Sequence, residues 1–250
     1  MLTLLWAGMA NAESTYIVAG SLVDPLKAKL IRNPVVEIQD GRIVSVTSGG
    51  AVPDNVEVIK LGSATLLPGL ADLHTHLTWN PSDIGYTGLG VSSTDEAVRG
   101  VVNARKNGTF LSINAYTPIY MIAKGEEMGM LPESVEKARK LADKRLANYR
   151  KAIKLGAKIV YGSDSATYPH GDNAKQFSVY VELGMSPMQA IQSATTVAAE
   201  SLRTVGDTGA VAPGYFADII AVEGNPLEDI SVLEDVMFVM KGGQVYKSPE

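Results

Sequence analysis

Cysteine is absent from this 250-residue chain, and histidine occurs only three times. The first absence removes disulfides, thiolate nucleophiles and thiolate metal ligands together. Any metal must then be held by histidine, carboxylate or a modified side chain. No basic run stands out among 22 Lys and Arg residues set against 27 Asp and Glu, and the formal net charge is -5. A nucleic-acid partner would find no electrostatic footprint here. After the first few residues no stretch reaches about 18 uninterrupted apolar positions, so no membrane span is expected. Internal repeats and low-complexity tracts are also missing. What remains is an ordinary globular composition, 46% hydrophobic, long enough to bury a substantial core in one or two domains.

Residues 1–12, MLTLLWAGMANA, join an apolar stretch from Leu2 to Met9 to an Ala10-Asn11-Ala12 pattern of the kind a signal peptidase cuts. They lack the basic start of a complete signal peptide. A signal-peptide remnant would make the protein exported, either periplasmic or secreted. An apolar first strand or an added scar would leave it cytoplasmic.

From Tyr16 to Leu67 the pattern is one of short β segments: YIVAG, VVEIQDGRIVSV with Asp40-Gly41 as its turn, VEVIKLG and ATLLPG. The tail repeats this style in ADIIAVEG and VMFVMKGGQVYK, with Gly242-Gly243 as a turn. Residues 13–68 and 204–250 therefore read as one composite β domain built from both ends. Between them, 69–203 alternates strands (GLADLHTH, GTFLSINAY, AKIVYGSD) with helical patterns at Ser93–Lys106, Pro132–Leu155, Asp172–Gly184 and Pro187–Leu202. That alternation predicts β/α units with parallel strands.

Two of the three histidines, His74 and His76, lie one residue apart at the end of an apolar run. On a strand, side chains two apart leave the same face, so both imidazoles can converge on one ion. Ordinary polar residues at a strand end are the alternative. Asp164 closes a second run, KIVYGSD, where Gly162 and Ser163 allow a turn; alone it reads equally as a helix cap or turn residue. Two histidines and an aspartate suit zinc, and three protein ligands plus water make a catalytic site. The carboxyl ends of parallel barrel strands are where such sites are built.

His170 either lines a substrate pocket or packs beside Tyr168. Tyr168, Asn173 and Lys175 are candidates to meet a substrate carboxylate, and each reads as well as a turn residue, a cap neighbour or a solvated lysine. Tyr116 and Tyr120 read as core. Trp79 and Tyr86 either cover an apolar substrate or pack on their own loop.

The segments QDGRIVSV, LLPGLADLHTH, VYGSDS and GAVAPGYFADIIAVEGNPLEDISVLEDVMFVMKGGQVY, in this order, resemble the amidohydrolase superfamily. YPHGDNAKQF followed by GMSPMQAIQSATTVAAESL is similar to its imidazolonepropionase-related branch, which includes Xaa-Pro dipeptidase-like and ochratoxin-hydrolysing amidohydrolases. The resemblance implies an α/β fold, a metal-dependent (β/α)8 barrel with a small β-sandwich built from both chain ends. It implies a hydrolase in which a metal-bound hydroxide attacks the amide bond of a dipeptide or N-acyl amino acid, in the manner of a carboxypeptidase. His74, His76 and Asp164 would hold zinc, and Asp164 would also move the proton. Two divalent ions bridged by a carboxylated lysine, a small-molecule amide substrate and a homo-oligomer are further implications.

The sequence also departs from that family. A closed barrel needs about 250 residues and seldom fewer than about 200, more than Gly69–Arg203 supplies. About three barrel strands are visible, similar to the first, seventh and eighth of the family. By the resemblance, the bridging lysine and two further histidine ligands belong to strands between the first and seventh, and with no histidine between His76 and His170 they have no counterpart here. The break falls near Arg105–Gly108. Either the deletion is real or a longer parent's central stretch is missing, and the open edges of three parallel strands favour the second. Two alternative functions accompany these readings: a cyclic-amide hydrolase or deaminase of the same superfamily, and a truncated, non-catalytic interaction protein.

Overall fold

The computed structural model describes residues 14–74 and 108–249. The apolar start at 1–12, the helix expected at 93–106, His76, Trp79 and Tyr86 lie outside them.

Seven short strands fill the first stretch: β1 (Thr15–Val18), β2 (Ser21–Asp24), β3 (Lys29–Arg32), β4 (Pro34–Gln39), β5 (Arg42–Ser48), β6 (Glu57–Lys60) and β7 (Thr65–Pro68). The second stretch begins with β8 (Phe110–Ser112), α1 (Tyr116–Lys124), α2 (Pro132–Lys154) and β9 (Lys158–Val160). It continues with α3 (Lys175–Glu182), α4 (Pro187–Ser193), α5 (Thr196–Leu202), β10 (Ile219–Val222), β11 (Val236–Lys241) and β12 (Gln244–Lys247).

Both anticipated hairpins form. Asp40 and Gly41 have φ of 50° and 74°, and Gly242 and Gly243 have φ of 55° and 81°, the positive pair that suits the twist of a two-residue turn. The β2–β3 hairpin was not anticipated, because Pro25 and two lysines interrupt its alternation.

Among the described residues three sheets form. One has the order β5-β4-β1-β6, the second β12-β11-β10-β7-β2-β3, and the third is the parallel pair β8-β9. The six-stranded sheet unites the two ends of the chain, since β7 pairs parallel with β2 and antiparallel with β10. Its residues alternate between two cores, as the two-residue period requires. Leu22, Leu66, Ile219 and Ala221 join the core shared with the four-stranded sheet, with Ile17, Val36 and Phe238. Val23, Leu67, Ile220 and Val222 join the core shared with the helices, with Ile159, Phe177 and Ile191. Burial on both faces explains why TLLP and IIAV read as unbroken apolar runs.

Three expectations need correction. The (β/α)8 barrel is not visible: among the described residues of 69–203, β8 and β9 form a single parallel pair. Gly69–His74 is not a strand either. It runs irregularly beside the end of β9, with Leu73 N–H donating to Tyr161 O at 3.0 Å and Ala71 N–H to Ala194 O at 2.8 Å. The helix expected over Pro187–Leu202 is two helices, broken at Ala194–Thr195, where Thr195 has φ -127° and ψ -94°. Breaking there turns two carbonyls outward: Ser193 O accepts from Tyr161 N–H and Ala194 O from Ala71 N–H. The break thus ties the helices to both site-bearing segments.

Candidate functional site

Two backbone segments meet at the site. The first leaves β7 through Pro68-Gly69 and reaches His74; the second leaves β9 through Tyr161, Gly162 and Ser163 and reaches Asp164. They are in register because the Asp164 amide donates to His74 O at 2.5 Å. Asp164 takes φ 57°, a left-handed conformation that aspartate tolerates better than most residues. Close approach requires Gly162: a Cβ there would lie 2.9 Å from His74 Cβ and would also collide with Ser112 Oγ.

The side chains converge as well. His74 Nε2 stands 3.2 Å from Asp164 Oδ1. Two donors each about 2.0–2.2 Å from one zinc at a tetrahedral angle would be separated by roughly 3.4 Å, so this pair fits a shared ion. Among the described residues no cluster of three His, Cys, Asp or Glu forms. An ion held by this pair would need a further donor from outside the described residues.

Asp72 braces this arrangement. Its Oδ1 accepts from the backbone N–H of His74 at 3.1 Å and of Ser163 at 2.9 Å. Its Oδ2 accepts from Ser163 Oγ–H, and from Asn173 Nδ2 at 3.0 Å. One carboxylate thus replaces the missing strand ladder between the two segments, satisfying N–H groups that a regular sheet would have paired. Nearby, Ser163 O accepts from the Tyr168 hydroxyl at 2.9 Å and Thr117 Oγ1–H at 3.3 Å, and Gly162 O accepts from Gln176 Nε2 at 2.8 Å.

The expected site residues divide accordingly. His74 and Asp164 meet; His76 is outside the described residues. Tyr168 is wholly buried, with its hydroxyl on Ser163 O, which makes it a support for the loop rather than a wall open to a substrate. Asn173 Nδ2 faces Asp72, Ser163 Oγ and Ser165 Oγ, so it too is occupied inside the loop. His170 is exposed, with Nδ1 3.3 Å from Ser165 Oγ, and adds no third donor. Lys175 pairs with Asp172 at 3.0 Å. Tyr116 and Tyr120 pack against Tyr168 with ring centroids 4.9 and 5.7 Å away.

Burial pushes the hydroxyls of Tyr161, Tyr168 and Tyr180 well above the ordinary tyrosine range. Sequence reasoning missed two residues. Asp72, two positions before His74, carried a readable signal in its spacing; Asn114, 3.3 Å from His74 Nδ1 through its Nδ2, carried none.

Ochratoxinase from Aspergillus niger is 38% identical over 164 residues, 64% of this chain and 33% of that protein. The chain thus spans about a third of the length of the curated relatives it matches. A solved Xaa-Pro dipeptidase with methionine in its active site superposes with a TM-score of 0.81 at 19% identity, covering 94% of this chain and 100% of the other. The structure of A. niger ochratoxinase superposes with a TM-score of 0.71 at 19% identity, covering 95% and 96%. At these identities the superpositions speak for the fold. The sequence model of the amidohydrolase family matches residues 91–246, and with more than half of its length so matched the chain belongs to that family.

Proposed function

We propose that this chain carries part of the active site of a metal-dependent hydrolase that cleaves the amide bond of a dipeptide or N-acyl amino acid. The observation that carries the reading is the 3.2 Å approach of His74 Nε2 and Asp164 Oδ1, two donors held in register by a backbone hydrogen bond and by Asp72. His74 and Asp164, with His76, would hold a zinc ion. When bound, such an ion polarises a substrate carbonyl and brings the pKa of a water to about 7. Asp164 accepts the proton of the attacking water at its carboxylate and returns it to the leaving nitrogen. Asp72 holds the backbone of both ligand segments while this happens. The similarity to ochratoxinase and to an Xaa-Pro dipeptidase supports an amide whose leaving group is an amino acid. Donors for a second ion would come from outside the described residues.

The test is an assay of dipeptides, N-acyl amino acids and cyclic ureides with zinc supplied, with and without chelator. Chelator-sensitive release of an amino acid is expected. Turnover of ureides alone would move the reading to a cyclic-amide hydrolase, and a chain that binds no zinc and turns over nothing would overturn it.

A further inference from the structure

Asn114 follows β8 by two residues and faces the opposite side of the His74 ring from Asp164. Its Nδ2 lies 3.3 Å from His74 Nδ1, while its Oδ1 is buried and has no hydrogen-bond partner among the described residues. On the far side of the ring, His74 Nε2 is 3.2 Å from Asp164 Oδ1. With the amide nitrogen on this side, the neutral tautomer that suits both contacts has Nδ1 accepting from the Asn114 amide and the ring hydrogen on Nε2, towards Asp164.

That tautomer cannot hold an ion through Nε2, whose lone pair is then committed to a hydrogen. Ligation needs the hydrogen on Nδ1 instead, which would set the ring N–H against the amide N–H of Asn114. A half-turn of the amide removes the conflict by bringing Oδ1 onto Nδ1–H. One hydrogen leaves Nε2 and one joins Nδ1, so the ring stays neutral. Either orientation leaves one end of the amide unpaired, so the turn forfeits no hydrogen bond. An amide is suited to this because it offers a donor and an acceptor of nearly equal reach.

We propose that Asn114 is a positioning residue whose side-chain amide turns over to set the tautomer of His74, serving the ion-free ring with its NH2 and the ligating ring with its oxygen. The proposal rests on the reading that His74 ligates a divalent ion.

Two-bond 1H–15N spectra of the full chain labelled at its three histidines, with His74 assigned through His74→Gln, test it directly. The expected result is an Nε2–H ring without metal and an Nδ1–H ring with zinc. Asn114→Asp, which can only accept, should show the Nδ1–H ring before zinc is added and should still bind zinc. Asn114→Leu, similar in shape, should give mixed tautomers and bind zinc about 10- to 100-fold more weakly by calorimetry. An Nδ1–H ring in the metal-free parent, unchanged zinc affinity in Asn114→Leu, or equal loss of binding in both variants would overturn the role of Asn114 while leaving the zinc site standing. A parent chain that binds no zinc would overturn both readings.

Discussion

The amide of Asp164 donates to the carbonyl oxygen of His74 at 2.5 Å, and their side chains stand 3.2 Å apart. Main chain and side chain therefore meet at one place, and the first contact survives changes to the second. Asp164→Asn keeps the backbone bond and the side-chain shape but removes the charge that an ion needs. Zinc affinity should fall more than about 100-fold, beyond the cost of losing an outer partner, while the thermal midpoint moves by only a few degrees. Calorimetry with zinc beside a melting curve checks this.

Asp72 contacts neither a substrate nor an ion in this reading, yet four hydrogen bonds end on its carboxylate. Asp72→Ala strands the Ser163 and His74 N–H groups together, and should cost roughly 2–4 kcal/mol. Asp72→Asn, which retains one acceptor oxygen, should cost less. Urea unfolding of both variants measures the difference.

Gly162 sits where the segments bearing His74 and Asp164 touch. In Gly162→Ala the new methyl can push Ser112 Oγ aside by a rotamer change, but His74 Cβ at 2.9 Å moves only with its backbone. A loss of about 1–3 kcal/mol is expected. Zinc binding should weaken with it, because the displaced atom belongs to the histidine proposed as a ligand. Normal zinc affinity in a folded Gly162→Ala protein would contradict this placement.

Burial holds Tyr161, Tyr168 and Tyr180 protonated above the range of free tyrosine. The folded protein thus keeps protons that the unfolded chain releases near pH 10. Stability from this source is complete below about pH 10 and falls as the pH climbs beyond it. Absorbance at 295 nm should show these three of the ten tyrosines ionising together with loss of structure. Tyr168→Phe should be less sensitive to alkali than its parent. Its neutral-pH cost should be about 1 kcal/mol, since Ser163 O keeps Thr117 as a second donor.

Local signals in the sequence were legible where the chemistry is local. Asp40-Gly41 and Gly242-Gly243 announce turns through the residues that tolerate positive φ, and α2 follows its apolar spacing from Pro132 to Lys154. The meeting of these turns was not legible: a Cβ on Gly41 would lie 2.6 Å from Gly242 O, a contact between opposite ends of the chain. At the site, His74 and Asp164 stood out by residue type and position. Tyr168 and Asn173 were nominated as substrate contacts because polar loop residues look alike in one dimension, and only their partners show them turned inward. Asn114 was invisible because its role depends on a ring forty positions away.

The strand at Thr65–Pro68 lies between partners made at very different times. Its parallel neighbour, β2, precedes it in the chain, whereas β10 is synthesised only after the whole helical region. Until then one edge of β7 stays open, and the segment leading to His74 hangs from a half-built sheet. Assembly of the site is thus tied to the synthesis of β10, and such distant pairing makes for slow folding. A protein released before Ile219 would carry every donor named above without the frame that brings them together.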